Sequence, residues 1–124
     1  MKKNNTPLED EESKTLAQYL DLLVTQKKIC VYTHTANETY TKSWMQKRRN
    51  KAMGVRGGIP DYVIVTTHNV IFLELKRRVA GRLSPTQKDW REALERVTVQ
   101  GNQVYYLLAL GFDHAKQQID SVIK

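Results

Sequence analysis

The stretch GGIPDYVIVTTHNVIFLELK, Gly57 to Lys76, decides how this chain folds. Two β-rich apolar runs, Tyr62 to Val65 and Val70 to Leu75, flank a short polar break, Thr66 to Asn69, which reads as a hairpin turn. A turn centred between Thr67 and His68 sets Val65 against Val70, Val63 against Phe72 and Asp61 against Glu74. Directly opposed residues of an antiparallel pair have Cβ atoms roughly 4.5 to 5.5 Å apart, so the two carboxylates are expected side by side. Period two puts Lys76 on the face of Glu74. Val63, Val65, Val70 and Phe72 share that face, while Tyr62, Ile64, Ile71, Leu73 and Leu75 line the other. A hairpin apolar on both faces is expected to be covered on both sides. Charges at its open end are then partly buried, which is costly unless they are paired or metal-bound.

Two carboxylates so close raise one another's pKa unless a positive charge lies between them. A hard divalent cation suits the pair. Mg²⁺ takes one or two carboxylates, keeps several waters and completes its shell with substrate phosphate, which points to phosphodiester chemistry. Lys76 is then placed to orient a water, assist its deprotonation or hold a phosphate as a point charge. Pro60 suits the first residue of a strand, where no ladder donor is needed, and Gly57 and Gly58 supply a turn that a phosphate backbone can approach closely. Taken separately, E-x-K is common on exposed strands and an aspartate often ends a turn. The combination is the informative signal.

Outward from this stretch, 124 residues with 40% hydrophobic content fit one compact domain. Twenty Lys and Arg against thirteen Asp and Glu give a formal charge of +7, suited to a polyanionic partner. The single cysteine, Cys30, excludes an intramolecular disulfide and any cysteine-based zinc cage; its apolar setting, I-C-V-Y, predicts a buried thiol. No stretch approaches a membrane span and M-K-K-N-N-T lacks the apolar segment of a signal peptide, so a cytoplasmic location is expected, with no membrane partner.

Met1 to Thr6 are polar and expected to fray; residues 7–124 form the domain. A helix is expected from Pro7, with Leu16, Leu20, Leu23 and Val24 as its apolar stripe and Glu9, Asp10, Glu11 and Glu12 in its first turns, where the helix dipole favours acids. Ile29 to Thr35 reads as the first strand. Neither His34 nor His68 has a partner at metal-ligand spacing. From Lys42 to Arg56 the chain carries Lys42, Lys47, Arg48, Arg49, Lys51 and Arg56 with no acid among them, and with Trp44 and Met45 interspersed. Such a segment neutralises several phosphates without reading sequence, and Trp44 is available to stack on a base or to pack on the core. Helix or loop is left open there, although Gly54, Gly57 and Gly58 limit any helix to what precedes them.

Arg77, Arg78 and Arg82 follow Lys76 directly, where phosphate contacts place a scissile bond by geometry. Ser84 and Pro85 start a helix to about Val99, by cap and first-turn proline, with Trp90, Leu94 and Val97 turned inward. Val104 to Leu110 reads as a buried strand, and Gly111 leads into a last helix holding Ala115, Ile119 and Val122. The order helix, three strands, helix, strand, helix gives a three-layer α/β domain with a mixed sheet.

The arrangement P-D followed by E-x-K on the next strand resembles the PD-(D/E)XK nuclease superfamily. Within it, G-V-R-G-G-I-P-D, F-L-E-L-K-R and L-S-P-T-Q-K-D-W resemble the VRR-NUC (virus-type replication-repair) nucleases, over about Pro7 to Gly111. The resemblance implies a restriction-endonuclease-like fold and a metal-dependent DNA endonuclease. Asp61 and Glu74 are the implied Mg²⁺ or Mn²⁺ ligands, joined by the Leu75 carbonyl, and Lys76 positions the attacking water. It further implies a helix-borne glutamate, matched best by Glu9 with Glu12 as rival, and a supporting glutamine, Gln87. Asn37 and Glu38 resemble an N-E pair of phage-type members. Stand-alone members tend to be homodimers acting on branched DNA such as four-way junctions. Two other readings stand beside it: a non-catalytic basic DNA-binding module, and a site-specific nuclease of restriction or homing type.

Overall fold

The computed structural model describes residues 9–35, 43–79 and 81–124, and of Glu9 the backbone alone. Its elements are α1 (Glu9–Thr25), β1 (Val31–His34), α2 (Trp44–Ala52), β2 (Tyr62–Val65), β3 (Val70–Lys76), α3 (Pro85–Val99), β4 (Val104–Leu110) and α4 (Phe112–Val122). The hairpin forms in the expected register, with Val65 opposite Val70 and Val63 opposite Phe72. Thr66 closes its turn: its Oγ1 accepts from the backbone N–H groups of His68 and Asn69. β1 adds antiparallel to β2, and the α3 crossover returns β4 parallel to β3, giving the order β1-β2-β3-β4.

Leu16, Leu20 and Leu23 of α1 and Ala115 and Ile119 of α4 close over one face of the sheet, where Tyr62, Ile64, Ile71, Leu73 and Leu75 are buried. Tyr19 locks the two helices together, with its ring edge-on to Phe112 at 5.9 Å and its hydroxyl donating to Asp120. α3 forms the third layer on the opposite face, packing mainly on β4. The architecture is thus a three-layer α/β domain with a mixed sheet, restriction-endonuclease-like in its layout.

Five expectations change. The second hairpin face is only half-buried, because α3 packs mainly on β4 and contributes no buried residue. Val24 and Val97 point outward, each 36% exposed; Val24 lies off the stripe that Leu16, Leu20 and Leu23 complete. Cys30 is exposed, as is Val31 after it, because the chain beyond the buried Ile29 runs along the open edge of the sheet. The first strand is shorter than expected, Val31 to His34. The expected run of three strands is interrupted after β1, because the basic segment, open between helix and loop in the sequence, forms a helix of its own, α2, capped by the Ser43 side chain on the Gln46 N–H. Met1 to Leu8, and with them the expected frayed end and helix start, lie outside the described residues.

Candidate active site

The β2 ladder ends at Tyr62, and one residue earlier Asp61 continues the pairing with its side chain. Its Oδ2 accepts the Leu75 N–H at 2.8 Å, while its own N–H donates to Glu74 Oε2 at 3.2 Å. The two acids are therefore interlocked as cross-strand neighbours. On the same face Lys76 Nζ lies 3.4 Å from Glu74 Oε1. The amide of Gln87 donates to that same oxygen at 2.7 Å.

Gln87 reaches Glu74 because of how α3 begins. Ser84 caps the helix, accepting the Gln87 N–H, and Gln87 Oε1 accepts the Ser84 N–H at 2.8 Å, a reciprocal capping box with Pro85 in the first turn. One side chain thus starts the helix with its oxygen and holds Glu74 with its nitrogen.

The chain before Asp61 is clamped to the same helix. Gly58 has φ +90°, and a Cβ there would stand 2.6 Å from the Thr86 carbonyl carbon and oxygen, so both its conformation and its space require glycine. Trp90 Nε1 donates to the Gly57 carbonyl. From β1, Thr35 donates its N–H to the Asp61 carbonyl at 2.7 Å and its hydroxyl to the Pro60 carbonyl at 2.8 Å. Beyond β3, Gly81 packs so closely that a Cβ would lie 2.7 Å from Lys76 Cβ.

Glu74 is 1% exposed. Burial pushes its carboxyl up to about 7, the charge of Asp61 adds to the rise, and Lys76 pulls against it. Burial also raises Asp61, opposed by the Leu75 N–H and by Lys76. A single ammonium facing two desolvated acids leaves negative charge uncompensated, the electrostatics a divalent cation answers. The donor set fits. Lys76 O accepts from Gly111 on the β4 side, so alternation turns the Leu75 N–H and carbonyl toward Asp61. Two carboxylates and a carbonyl are the sparse protein set that Mg²⁺ accepts; among the described residues no cluster of three or more His, Cys, Asp and Glu side chains forms.

The Glu9 side chain, and the pair Asn37 and Glu38, fall outside the described residues. Glu12 is buried, paired with Arg78 at 3.0 Å and accepting the first amide of α4, from Phe112. Arg78 also lies 3.6 Å from Asp113, so its charge is neutralised locally. Arg77 is half-buried, with an unpartnered Nε, and Arg82 is exposed. Lys47, Arg48, Arg49, Lys51 and Arg56 are all exposed; Lys47, Asn50, Lys51 and Arg56 line a concavity that ends at Gly57. A broader concavity, lined by Tyr19, Lys27, His68 and Asp120, lies at the hairpin-turn end, away from the acids.

Two neighbours of the site escape sequence reasoning. His34 ends β1 with its ring edge-on to Tyr62 at 4.8 Å. Tyr106, opposite Phe72 on β4, carries a buried hydroxyl without a hydrogen-bond partner; burial and the charge of Glu74 raise its pKa. The parallel register that brings Tyr106 onto the face of Glu74 has no signal in V-Y-Y-L-L-A-L itself.

Among solved structures, one described as a "VRR_NUC domain protein" shares this fold with a TM-score of 0.72 at 20% identity, over 98% of this chain and 91% of that one. No family's sequence model and no curated protein matches the chain.

Proposed function

We propose that this chain is a metal-dependent DNA endonuclease of the VRR-NUC type. The observation that carries the reading is the interlocked, desolvated pair Asp61 and Glu74, with Lys76 and Gln87 converging on one oxygen of Glu74. The fold shared with a VRR_NUC domain protein supports it.

Asp61, Glu74 and the Leu75 carbonyl would hold Mg²⁺ or Mn²⁺. Such a cation supplies charge neutralisation and Lewis-acid polarisation of a phosphodiester. Gln87 fixes the rotamer of Glu74, and Leu75 fixes that of Asp61, so the acids are set before substrate arrives. Lys76 positions the attacking water and the scissile phosphate. The water oxygen bonds to phosphorus in line with the departing 3′ oxygen, the P–O3′ bond breaks, and the products are a 3′ hydroxyl and a 5′ phosphate. Arg77, Arg82 and the α2 cations hold flanking phosphates and make binding salt-sensitive. The proposal extends to a cytoplasmic enzyme working as a homodimer on branched DNA, since one small domain offers little surface for a junction.

The test is a cleavage panel of four-way junction, flap, nicked and plain duplex with Mg²⁺ and with Mn²⁺. Cutting should vanish with chelator and fall at least about a hundredfold in Asp61→Ala and Lys76→Ala, with DNA binding retained. Binding without cutting under either metal would instead identify a non-catalytic module. One discrete cut in a long duplex would identify a site-specific enzyme.

A further inference from the structure

We infer that the outward face of α2 is a stacking platform for an unpaired DNA base, which would make it the element that recognises melted or branched substrates. This rests on the nuclease reading for its choice of DNA, and deepens it by naming what part of the DNA is recognised.

The observations are local. α2 turns a single residue, Asn50, into the protein, held by the Gln46 amide at 2.6 Å. At 100° per residue, Asn50 and Gln46 define the inward side, and Trp44, Met45 and Arg48 fall on the outward side. Trp44 is 67% exposed and Met45 70%, so a large apolar surface stands in solvent where neither ring nor thioether serves the core. Surfaces of this kind mark contact sites.

The charges around it choose the partner. The helix has no acid, and Lys47, Arg48, Arg49 and Lys51 surround the apolar patch. An apolar protein partner would have to bury or pair all of them. A nucleic acid answers both features together, with phosphates for the cations and a base face for the rings. The Arg48 guanidinium already lies 4.8 Å from the Trp44 ring centroid, which fixes the indole as a flat surface with one face covered and leaves the opposite face for a base.

Direction follows from the concavity beside the platform. Lys47, Lys51 and Arg56 line it together with Gly57, four residues before Asp61. A strand whose base rests on Trp44 can run its phosphates along these cations toward the carboxylates. Paired bases in duplex DNA do not present a free face to such a ring, so the platform discriminates by strand pairing, with no reading of sequence.

The experiment uses the full chain without divalent metal, so that binding is seen without cutting. A splayed-arm DNA carries the fluorescent base analogue aminopurine in its unpaired segment, and a blunt duplex of the same length is the control. Binding of the unchanged protein should alter the aminopurine emission. Trp44→Ala should abolish that change and weaken splayed-arm binding roughly 5- to 100-fold, with less than about twofold effect on duplex binding; Trp44→Phe should restore most of both. Equal weakening on the two DNAs, no emission change with the unchanged protein, or a dimer that Trp44→Ala dissociates in sedimentation would each overturn the inference. The nuclease reading fails separately, on absence of cleavage by the unchanged protein with Mg²⁺ and Mn²⁺, whatever the fluorescence shows.

Discussion

The two faces of the β2–β3 hairpin are built from the same alternating strands and have opposite uses. Under α1 and α4, Ile64, Ile71, Leu73 and Leu75 are fully buried in one apolar cluster. On the α3 side of the sheet, Val63, Val65, Val70 and Phe72 are half-covered, and at the end of that face lie Asp61, Glu74 and Lys76. The first face supplies stability by removing apolar area from water. The second forgoes part of that gain and keeps two acids where water does not solvate them fully. The rigid face is what allows the strained one: strands fixed from behind hold the carboxylates together against their repulsion.

The largest expected effect attacks the rigid face. Leu73→Ala should cost about 2 to 5 kcal/mol of unfolding free energy, against about 1 kcal/mol for Val63→Ala. Equal losses in urea melts would break the contrast. Next comes the link between the faces' machinery and α3. Gln87→Ala removes the amide that holds Glu74, and cleavage should fall about 10- to 100-fold, as for other groups that orient a metal ligand. The capping box is lost as well, at about 1 kcal/mol; Gln87→Glu retains a cap acceptor but sets a further carboxylate against Glu74, so cleavage should stay low although the cap is kept.

The smallest effect sharpens the comparison through pH. Glu74 has its carboxyl at about 7, above its ordinary 4.5, so folding favours the protonated acid. Its stabilising contribution is complete below about pH 4.5 and disappears as pH rises through about 7. The melting temperature of the metal-free protein should therefore carry a component that declines across that window, and Glu74→Gln should remove it. Added Mg²⁺ should reverse the trend, since ionisation of Glu74 then favours binding. A metal-free profile unchanged by Glu74→Gln would show that the acid is not desolvated as described.

The hairpin register is legible in the sequence, because turn position and period two together fix it. The polar break at Thr66 to Asn69 placed Asp61 opposite Glu74, and the Ser84-Pro85 start put Gln87 in the first turn of α3. What was hidden depends on the third dimension. Both hairpin faces read as apolar, so nothing local told which would be sealed. α2 has no apolar stripe, and its helix rests on a serine cap and one inward asparagine. Glu12 reads either as an acid favoured by a helix dipole or as the rival to Glu9 for the helix-borne ligand; its burial against Arg78 and Phe112 depends on residues remote in sequence. Cys30 sits in an apolar run and still faces out, because it precedes a short edge strand that is itself mostly exposed.

The Glu12 carboxylate takes the leading amide of α4 and the guanidinium that follows the Lys76 strand. A single side chain near one end of the polypeptide thereby fastens the opposite end, with the catalytic strand's exit caught in between. Peeling α1 from the sheet therefore loosens α4 in the same event, so these two helices open together.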